Sequence, residues 1–254
     1  MAGVRPGDFS GEAIVLSCLD YGDSDRVVTL LTRERGKLGA FAAGARKSKR
    51  RFAGALEPFT VLRVELAERR GDLLFFSSCM VEEAHAGLRF DLARLGHAGH
   101  AAELCRELCK ERVAHEELYD ALRAYLGQLA VREADPAALL AFELAALEHV
   151  GLSPRLSDCT ICGGPVEGTI LFDPPHGGAV CGSCTSMAFA GAVRVEAPVR
   201  EAMEALQQAP PFAASIAEPQ LRARVRNLVR RFTHQVLGRN PRSLDFLAQV
   251  GIEG

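Results

Sequence analysis

Residues 59–66 read Phe59-Thr60-Val61-Leu62-Arg63-Val64-Glu65-Leu66. In an extended chain Thr60, Leu62, Val64 and Leu66 fall on one side and Phe59, Val61, Arg63 and Glu65 on the other, so the first set marks a buried face. Similar segments lie on both sides of it. Ala13–Leu19 and Val27–Thr32 are rich in Val, Ile and Leu and are separated by the turn formers Tyr21-Gly22-Asp23-Ser24-Asp25. Lys37–Ala43 follows the Arg35-Gly36 turn, and Leu73–Val81 is entered through Gly71-Asp72. Five short strands with closely spaced turn signals in about eighty residues predict a small closed barrel. A short helical turn near Ala53–Leu56 would join the third strand to the fourth.

Near Phe90 the pattern changes to helical spacing. Leu104 and Leu108 mark one helix, and Leu118, Leu122, Tyr125, Leu126 and Leu129 a second. Asp135-Pro136 supplies an N-cap with proline at the first helical position for a third, which runs to a stop at Gly151. Ala197–Gln208, Glu218–Leu237 and Arg242–Val250 are further candidates. Between these helices lie Cys159, Cys162, Cys181 and Cys184, two Cys-x-x-Cys knuckles with eighteen residues between them. This spacing is that of a four-thiolate zinc site. Thr169–Phe172 and Ala179-Val180 would form a hairpin that brings the knuckles together. Four thiolates fill the Zn²⁺ tetrahedron and leave no position for water or substrate, so the ion is expected to be structural. His176 reads as a loop histidine, with substitution for one sulfur as the alternative. Cys18, Cys79, Cys105 and Cys109 read as free thiols acting as small hydrophobes; no partner pair completes a second metal site around Cys105 and Cys109.

The chain has 254 residues, 48% of them hydrophobic, which suits one large domain or two smaller ones. No apolar stretch reaches the length of a bilayer span; the most apolar helical region, Leu139–Leu147, is interrupted by Glu143. Asp8 and Glu12 interrupt any signal-peptide pattern, and a cytoplasmic protein is expected. Net charge is −2, yet its distribution is uneven. Arg33–Arg51 carries eight basic residues against Glu34 alone, Glu82–Glu148 carries thirteen acids against seven bases, and Leu221–Arg242 carries seven arginines and no acid. Localised positive charge is the expected footprint of a nucleic-acid contact. The expected DNA-contacting set is Arg33, Arg35, Lys37, Arg46, Lys47, Lys49, Arg50 and Arg51. In the loop 44–51 long cations can reach consecutive phosphates and release counterions; the alternatives are a solvated loop and a localisation signal. Phe41, Phe52 and Phe59 flank this loop, as stacking faces or as core. In the last helix but one, Leu221, Val225, Leu228 and Phe232 form the core face. Arg222, Arg226 and Arg230 form a cationic stripe with Arg224 and Arg231 beside it. Nucleic acid, an acidic peptide tail or the acidic middle of the chain could lie against it.

Signatures of catalysis are absent: there is no phosphate-binding Gly-x-x-x-x-Gly-Lys-Ser/Thr loop, no Gly-x-Ser-x-Gly elbow and no His-Glu-x-x-His. Asp20, Asp23 and Asp25 read as a solvated turn rather than a divalent-cation site.

Four ordered stretches resemble the RecO family of bacterial recombination-mediator proteins. They are Ala13–Leu16 with Tyr21–Thr32; Gly36-Lys37 with Gly44–Lys49 and Leu56–Phe59; Phe142-Glu143-Leu144 with Gly151–Pro154 leading into Cys159-Thr160-Ile161-Cys162-Gly163; and Gly177–Cys181 ending at Cys184. The resemblance implies an α+β multidomain protein. An N-terminal OB-fold β-barrel that binds DNA would occupy residues 1–82, and an α-helical domain residues 83–254, with a four-cysteine zinc module inserted at about 157–186. It implies binding of single- and double-stranded DNA and annealing of complementary strands. It further implies work with RecR, and in some bacteria RecF, in loading RecA onto DNA coated by single-stranded-DNA-binding protein. The acidic, hydrophobic tail of that protein would meet the helical domain near Arg226, Arg230 and Arg231. Zn²⁺ would be structural, no enzyme activity is implied, and a cytoplasmic protein would join the nucleoid when on DNA. The readings from other classes are a zinc-containing nucleic-acid-modifying enzyme and a purely protein-binding adaptor.

Overall fold

The computed structural model describes residues 7–48, 50–52, 54–69, 71–213 and 215–251. Lys49 and Ala53, named above, lie outside the described residues. Two compact units divide the chain, one through Glu133 and the other from Ala134 onward.

In the first unit, β1 (Phe9–Tyr21), β2 (Asp25–Thr32), β3 (Gly36–Ala42), β4 (Val61–Ala67) and β5 (Leu74–Glu83) form a closed barrel in the order β1-β2-β3-β5-β4. All neighbours are antiparallel except β3 and β5. This is the five-stranded barrel of an OB-fold. Closure depends on β1, which pairs with β2 through Ala13–Tyr21 and with β4 through Phe9–Ile14. A register shift between Val15 and Ser17 bends the strand between its two partners. Ala13, Val15, Val28, Leu30, Leu38, Ala40, Leu62, Val64, Leu66, Leu74 and Phe76 fill the interior, with Phe52 and Leu56 entering from the β3–β4 connection.

Residues 59–66 hold the expected buried set, with Arg63 and Glu65 exposed. Two members of the other set depart from expectation. Phe59 precedes the strand with φ 72° and is buried. Val61 is fully buried, as are Ile14 and Leu31, whose side chains alternate with those in the barrel interior. For Ile14 and Leu31 the reason is a second layer: α1 (Leu92–Leu108) packs on β1 and β2, and α2 (Glu116–Leu129) on β2. The first compact unit therefore includes these helices, and its boundary lies well beyond the change of sequence pattern.

Ion pairs join the layers. Arg123 of α2 meets Glu12 of β1 at 2.8 Å and Glu83 of β5. Arg33 pairs with Glu116 at 2.9 Å and Asp120 at 3.1 Å. Lys37 Nζ donates to the carbonyl of Arg106 in the last turn of α1 at 2.8 Å, where the helix dipole favours a cation.

In the second unit, Asp135 accepts from the amide of Ala137 at 2.8 Å and starts α3 (Pro136–His149). α4 (Ala197–Gln208) and α5 (Pro219–Leu237) pack on α3 and on each other, and α6 (Ser243–Gln249) follows. A three-stranded sheet of β7 (Gly178–Val180), β6 (Ile170–Asp173) and β8 (Val193–Val195), in that order, carries the cysteine module. β8 has no sequence signal, because three residues are too few to show a period. The ring of Phe172 lies 6.1 Å from that of Phe232 and joins this sheet to α5. Among the described residues no helix is long and apolar enough to cross a membrane.

The second layer makes a prediction about one strand. Ile14→Ala should cost about 2–5 kcal/mol in urea unfolding. Leu19→Ala, at a residue 67% exposed on the same strand, should change stability by no more than about 0.5 kcal/mol.

Candidate nucleic-acid interface and metal centre

The chain leaves β3 through Gly44, whose φ is 69°, a backbone conformation that glycine adopts readily. The Gly44 amide donates to Asp25 Oδ1 at 2.7 Å, and the Arg46 amide donates to the Ser24 carbonyl at 2.9 Å. These bonds pin the basic loop against the β1–β2 turn. The Gly44 amide, with the Ser24 hydroxyl beside it, holds the Asp25 carboxyl below its usual range. Asp20 is engaged by Arg26 at 3.1 Å and Arg46 at 3.2 Å. Asp20 and Asp25 are thus used within the fold, while Asp23 is exposed at the tip of the turn.

The seven described members of the expected DNA-contacting set fall into two groups at opposite ends of β3, about 20 Å apart for a strand of this length. Arg33, Arg35 and Lys37 lie at the β2–β3 end and are engaged within the protein. Arg33 and Lys37 bind the helical layer as described, and Arg35 donates to the Gly7 carbonyl at 3.1 Å with its guanidinium 5.7 Å from the Phe9 ring centre. At the other end, Arg46 also donates to the Gly22 carbonyl at 2.9 Å. Arg51 bonds the carbonyls of Phe76 and Ser77 and covers the Phe52 ring at 4.8 Å. Lys47 and Arg50 are exposed and form no salt bridge among the described residues; Lys49 lies outside those residues.

Beside this loop an apolar row crosses the outside of the barrel. The register places Leu19 opposite Val27, Val27 opposite Phe41, and Phe41 beside Phe75. The Tyr21 and Phe41 rings meet edge to face at 5.8 Å, and those of Phe41 and Phe75 lie 5.3 Å apart. The Arg69 guanidinium lies 4.6 Å over Phe75. Tyr21, Val27, Phe41, Gly71, Asp72, Leu73 and Phe75 line a cleft of about 380 Å³. Leu73 lies so close over Gly39 that a β-carbon there would sit 2.7 Å from its Cδ2. The bounding segments are the β1–β2 and β4–β5 connections, which with the middle strands form the ligand face of OB-folds. Of the three phenylalanines singled out in the sequence, Phe52 and Phe59 are core and Phe41 belongs to this face. Tyr21 and Phe75 were missed, although Phe75 alternates with the inward Leu74 and Phe76.

In the second unit the sulfurs of Cys159, Cys162, Cys181 and Cys184 all lie within 4.8 Å of one another. Gly163, at φ 73°, closes the first knuckle, its amide donating to the Cys159 carbonyl at 2.8 Å. The Cys184 amide closes the second by donating to the Cys181 carbonyl at 3.1 Å. Thr160 donates to the Ala179 carbonyl through its amide and hydroxyl, which joins the first knuckle to the hairpin. The sulfurs of Cys162 and Cys181 are 3.8 Å apart; a tetrahedron with metal–sulfur bonds near 2.3 Å has an edge of about 3.8 Å. The Cys181 amide, with those of Cys162 and Ile161, holds the Cys159 thiol down at about 6, while burial and the neighbouring sulfurs push Cys184 up to about 12. The donor set and its spacing fit a four-thiolate ion. His176 is not part of it: its Nδ1 lies 2.8 Å from Asp173, a fully buried carboxylate that also accepts from the Phe189 amide at 2.7 Å. Cys18, Cys79, Cys105 and Cys109 are free thiols, and burial raises all four in pKa.

A groove of about 940 Å³ runs along α5, β8 and α6, and Arg224, Arg230, Arg231, His234, Leu228 and Leu244 are among its walls. Of the three arginines expected to meet a partner, Arg230 and Arg231 line it and Arg226 does not. Arg224 pairs with Glu196 at 3.0 Å.

Known proteins match these features along the chain. The family described as "Recombination protein O N terminal" matches residues 7–84, and "Recombination protein O C terminal" matches residues 89–245. A DNA repair protein RecO of Myxococcus xanthus (strain DK1622) is 48% identical over 245 residues, covering 96% of this chain and 99% of the relative. That of Anaeromyxobacter sp. (strain Fw109-5) is 47% identical over 242 residues, 94% of each chain. That of Pelotomaculum thermopropionicum (strain DSM 13744 / JCM 10971 / SI) is 35% identical over 246 residues, 96% of this chain and 94% of the relative. With both family regions matched in order and relatives aligned from end to end, the chain belongs to the RecO family of DNA repair proteins.

Proposed function

We propose that the protein is a non-enzymatic recombination mediator that binds single- and double-stranded DNA and anneals complementary strands. The observation that carries this reading is the basic loop 44–51, pinned beside the OB-fold face with Lys47 and Arg50 free of salt bridges among the described residues. Two polyanions approach each other only if their charge is screened. A cationic loop lowers that repulsion and leaves base edges free to pair. No bond is made or broken, so the chemistry needs phosphate contacts and no nucleophile. Arg33, Arg35 and Lys37 would add to the positive field, since Arg33 and Lys37 first hold the helical layer and Arg35 first bonds the Gly7 carbonyl. A cytoplasmic protein that joins the nucleoid when on DNA fits this role.

The groove along α5 favours a protein-binding role beside the DNA-binding one. Arg230, Arg231 and His234 above apolar walls have the chemistry to receive the acidic, hydrophobic tail of single-stranded-DNA-binding protein. Arg226, which is outside the groove, would act only through its charge. RecR, and RecF in some bacteria, would complete the assembly that loads RecA. Zn²⁺ at Cys159, Cys162, Cys181 and Cys184 would tie the sheet of the second unit together. Four protein ligands leave it no open position, which supports a structural ion over a zinc-containing modifying enzyme.

Reversing Arg46, Lys47, Lys49, Arg50 and Arg51 to glutamate should abolish annealing and weaken binding to every DNA sequence alike. Arg46 and Arg51 also hold the fold, so Lys47→Ala/Arg50→Ala is the cleaner variant. It should reduce the slope of log affinity against log salt by about 1.4 for single strands, two contacts' worth. An unchanged slope and unchanged annealing would remove the loop from the interface.

Elemental analysis of the purified protein should find about one zinc per chain. Cys184→Ser should lower that content and the thermal stability of the second unit, with single-stranded-DNA affinity at low salt unchanged. A Cys159→Ser variant that kept its fold and zinc and lost annealing would contradict the structural assignment.

A further inference from the structure

We infer that the outer face formed by Tyr21, Phe41 and Phe75 is a stacking site for unpaired nucleobases, which gives the protein a preference for single strands over duplex. The inference rests on the DNA-binding reading above and deepens it, because the basic loop by itself recognises only phosphates.

Three observations carry it. First, these rings are not needed by the core. The barrel interior behind them is filled by Leu38, Ala40, Leu74 and Phe76, and Tyr21 is 61% exposed. Elsewhere on the barrel, the outward apolar residues Ile14, Leu31 and Val61 are fully buried; the apolar row Leu19–Val27–Phe41–Phe75 is not. Second, the charge around the cleft suits a polynucleotide. Arg69 stands over Phe75, and Lys47 and Arg50 leave the loop that is bonded to the β1–β2 turn carrying Tyr21. Of that turn's acids, Asp20 is paired with Arg46 and Arg26 and Asp25 is bonded by the Gly44 amide, which leaves Asp23 exposed at the tip. Asp72 remains on the cleft wall, where a carboxylate can accept from an exocyclic amine of a base. Third, a cleft of about 380 Å³ is at the small end of ligand pockets, which suits flat bases one or two at a time. A base inside a duplex has both faces covered by its neighbours. Only an unpaired base can offer a face to an aromatic ring, and every base has such a face, so the site reads strandedness rather than sequence.

The test uses the full chain with Tyr21, Phe41 and Phe75 each changed to Leu, which keeps apolar bulk and removes the flat rings. Binding is measured by anisotropy to a mixed-sequence single strand, to a blunt duplex of equal length and to an abasic strand with the same phosphates. The triple variant should bind the base-bearing single strand roughly ten- to a hundredfold less tightly. Duplex affinity and the salt slope should hold, because phosphate contacts remain. Wild-type protein should prefer the base-bearing strand to the abasic one by a similar factor, and the variant should lose that preference. The chain has no tryptophan, so a fluorescent base analogue in the strand reports stacking directly.

The abasic comparison needs no variant and stands even if the triple substitution fails to fold. Equal wild-type affinity for base-bearing and abasic strands would overturn the stacking site and leave the DNA-binding reading intact. Equal loss of single-strand and duplex binding in the folded variant would do the same. A change of oligomeric state in the variant with DNA affinity unaltered would make this face a contact between copies of the chain and overturn the inference. Failure of wild-type protein to bind any DNA at low salt would overturn both readings.

Discussion

The first unit depends on one strand serving two edges. β1 must lie against β2 with its second half and against β4 with its first, and the bend between Val15 and Ser17 makes both pairings possible. Once β1 is shared, β3 and β5 are left to close the barrel side by side, and their parallel pairing sets Phe41 next to Phe75. The β2–β3 pairing, with Arg26 opposite Ala42, brings the β1–β2 turn against the β3–β4 loop, where Asp25 receives the Gly44 amide. The cationic loop and the aromatic face therefore become neighbours through backbone pairing, although they come from segments far apart in sequence.

Charge is then sorted by geometry rather than by amount. Acids of the middle of the chain pair with cations: Glu116 and Asp120 bind Arg33, and Glu83 binds Arg123. Each pair is exposed enough that solvent screening keeps its contribution to stability small. Its larger consequence is to withdraw cations at the β2–β3 end from external phosphates. Lys47 and Arg50 are not withdrawn in this way. A protein of net charge −2 can thus present a local positive patch to a polyanion.

The sequence was informative where a period or a spacing is long enough to register. Each of the five barrel strands could be read from its apolar pattern, and the paired Cys-x-x-Cys knuckles announced a site whose sulfurs the fold brings together. Burial on the outer side of β1 and β2 could not be read, because Ile14 and Leu31 lie on strands against which helices from later in the chain pack. Alternation alone assigns such residues to solvent. The aromatic face was only partly legible for a related reason. Tyr21, Phe41 and Phe75 come together through strand register, which a single segment does not encode. The basic stretch Arg33–Arg51 appeared continuous in sequence, yet β3 runs through the middle of it and carries its two halves to opposite ends of the barrel.

Hydrogen exchange of the full chain with and without a single strand locates the DNA on the protein. Exchange should slow in residues 43–52 and in the flanking segments 19–27 and 69–75, with no change in the cysteine module. Protection confined to the cysteine module or to α5, with the barrel unaffected, would contradict the assignment of DNA to the first unit.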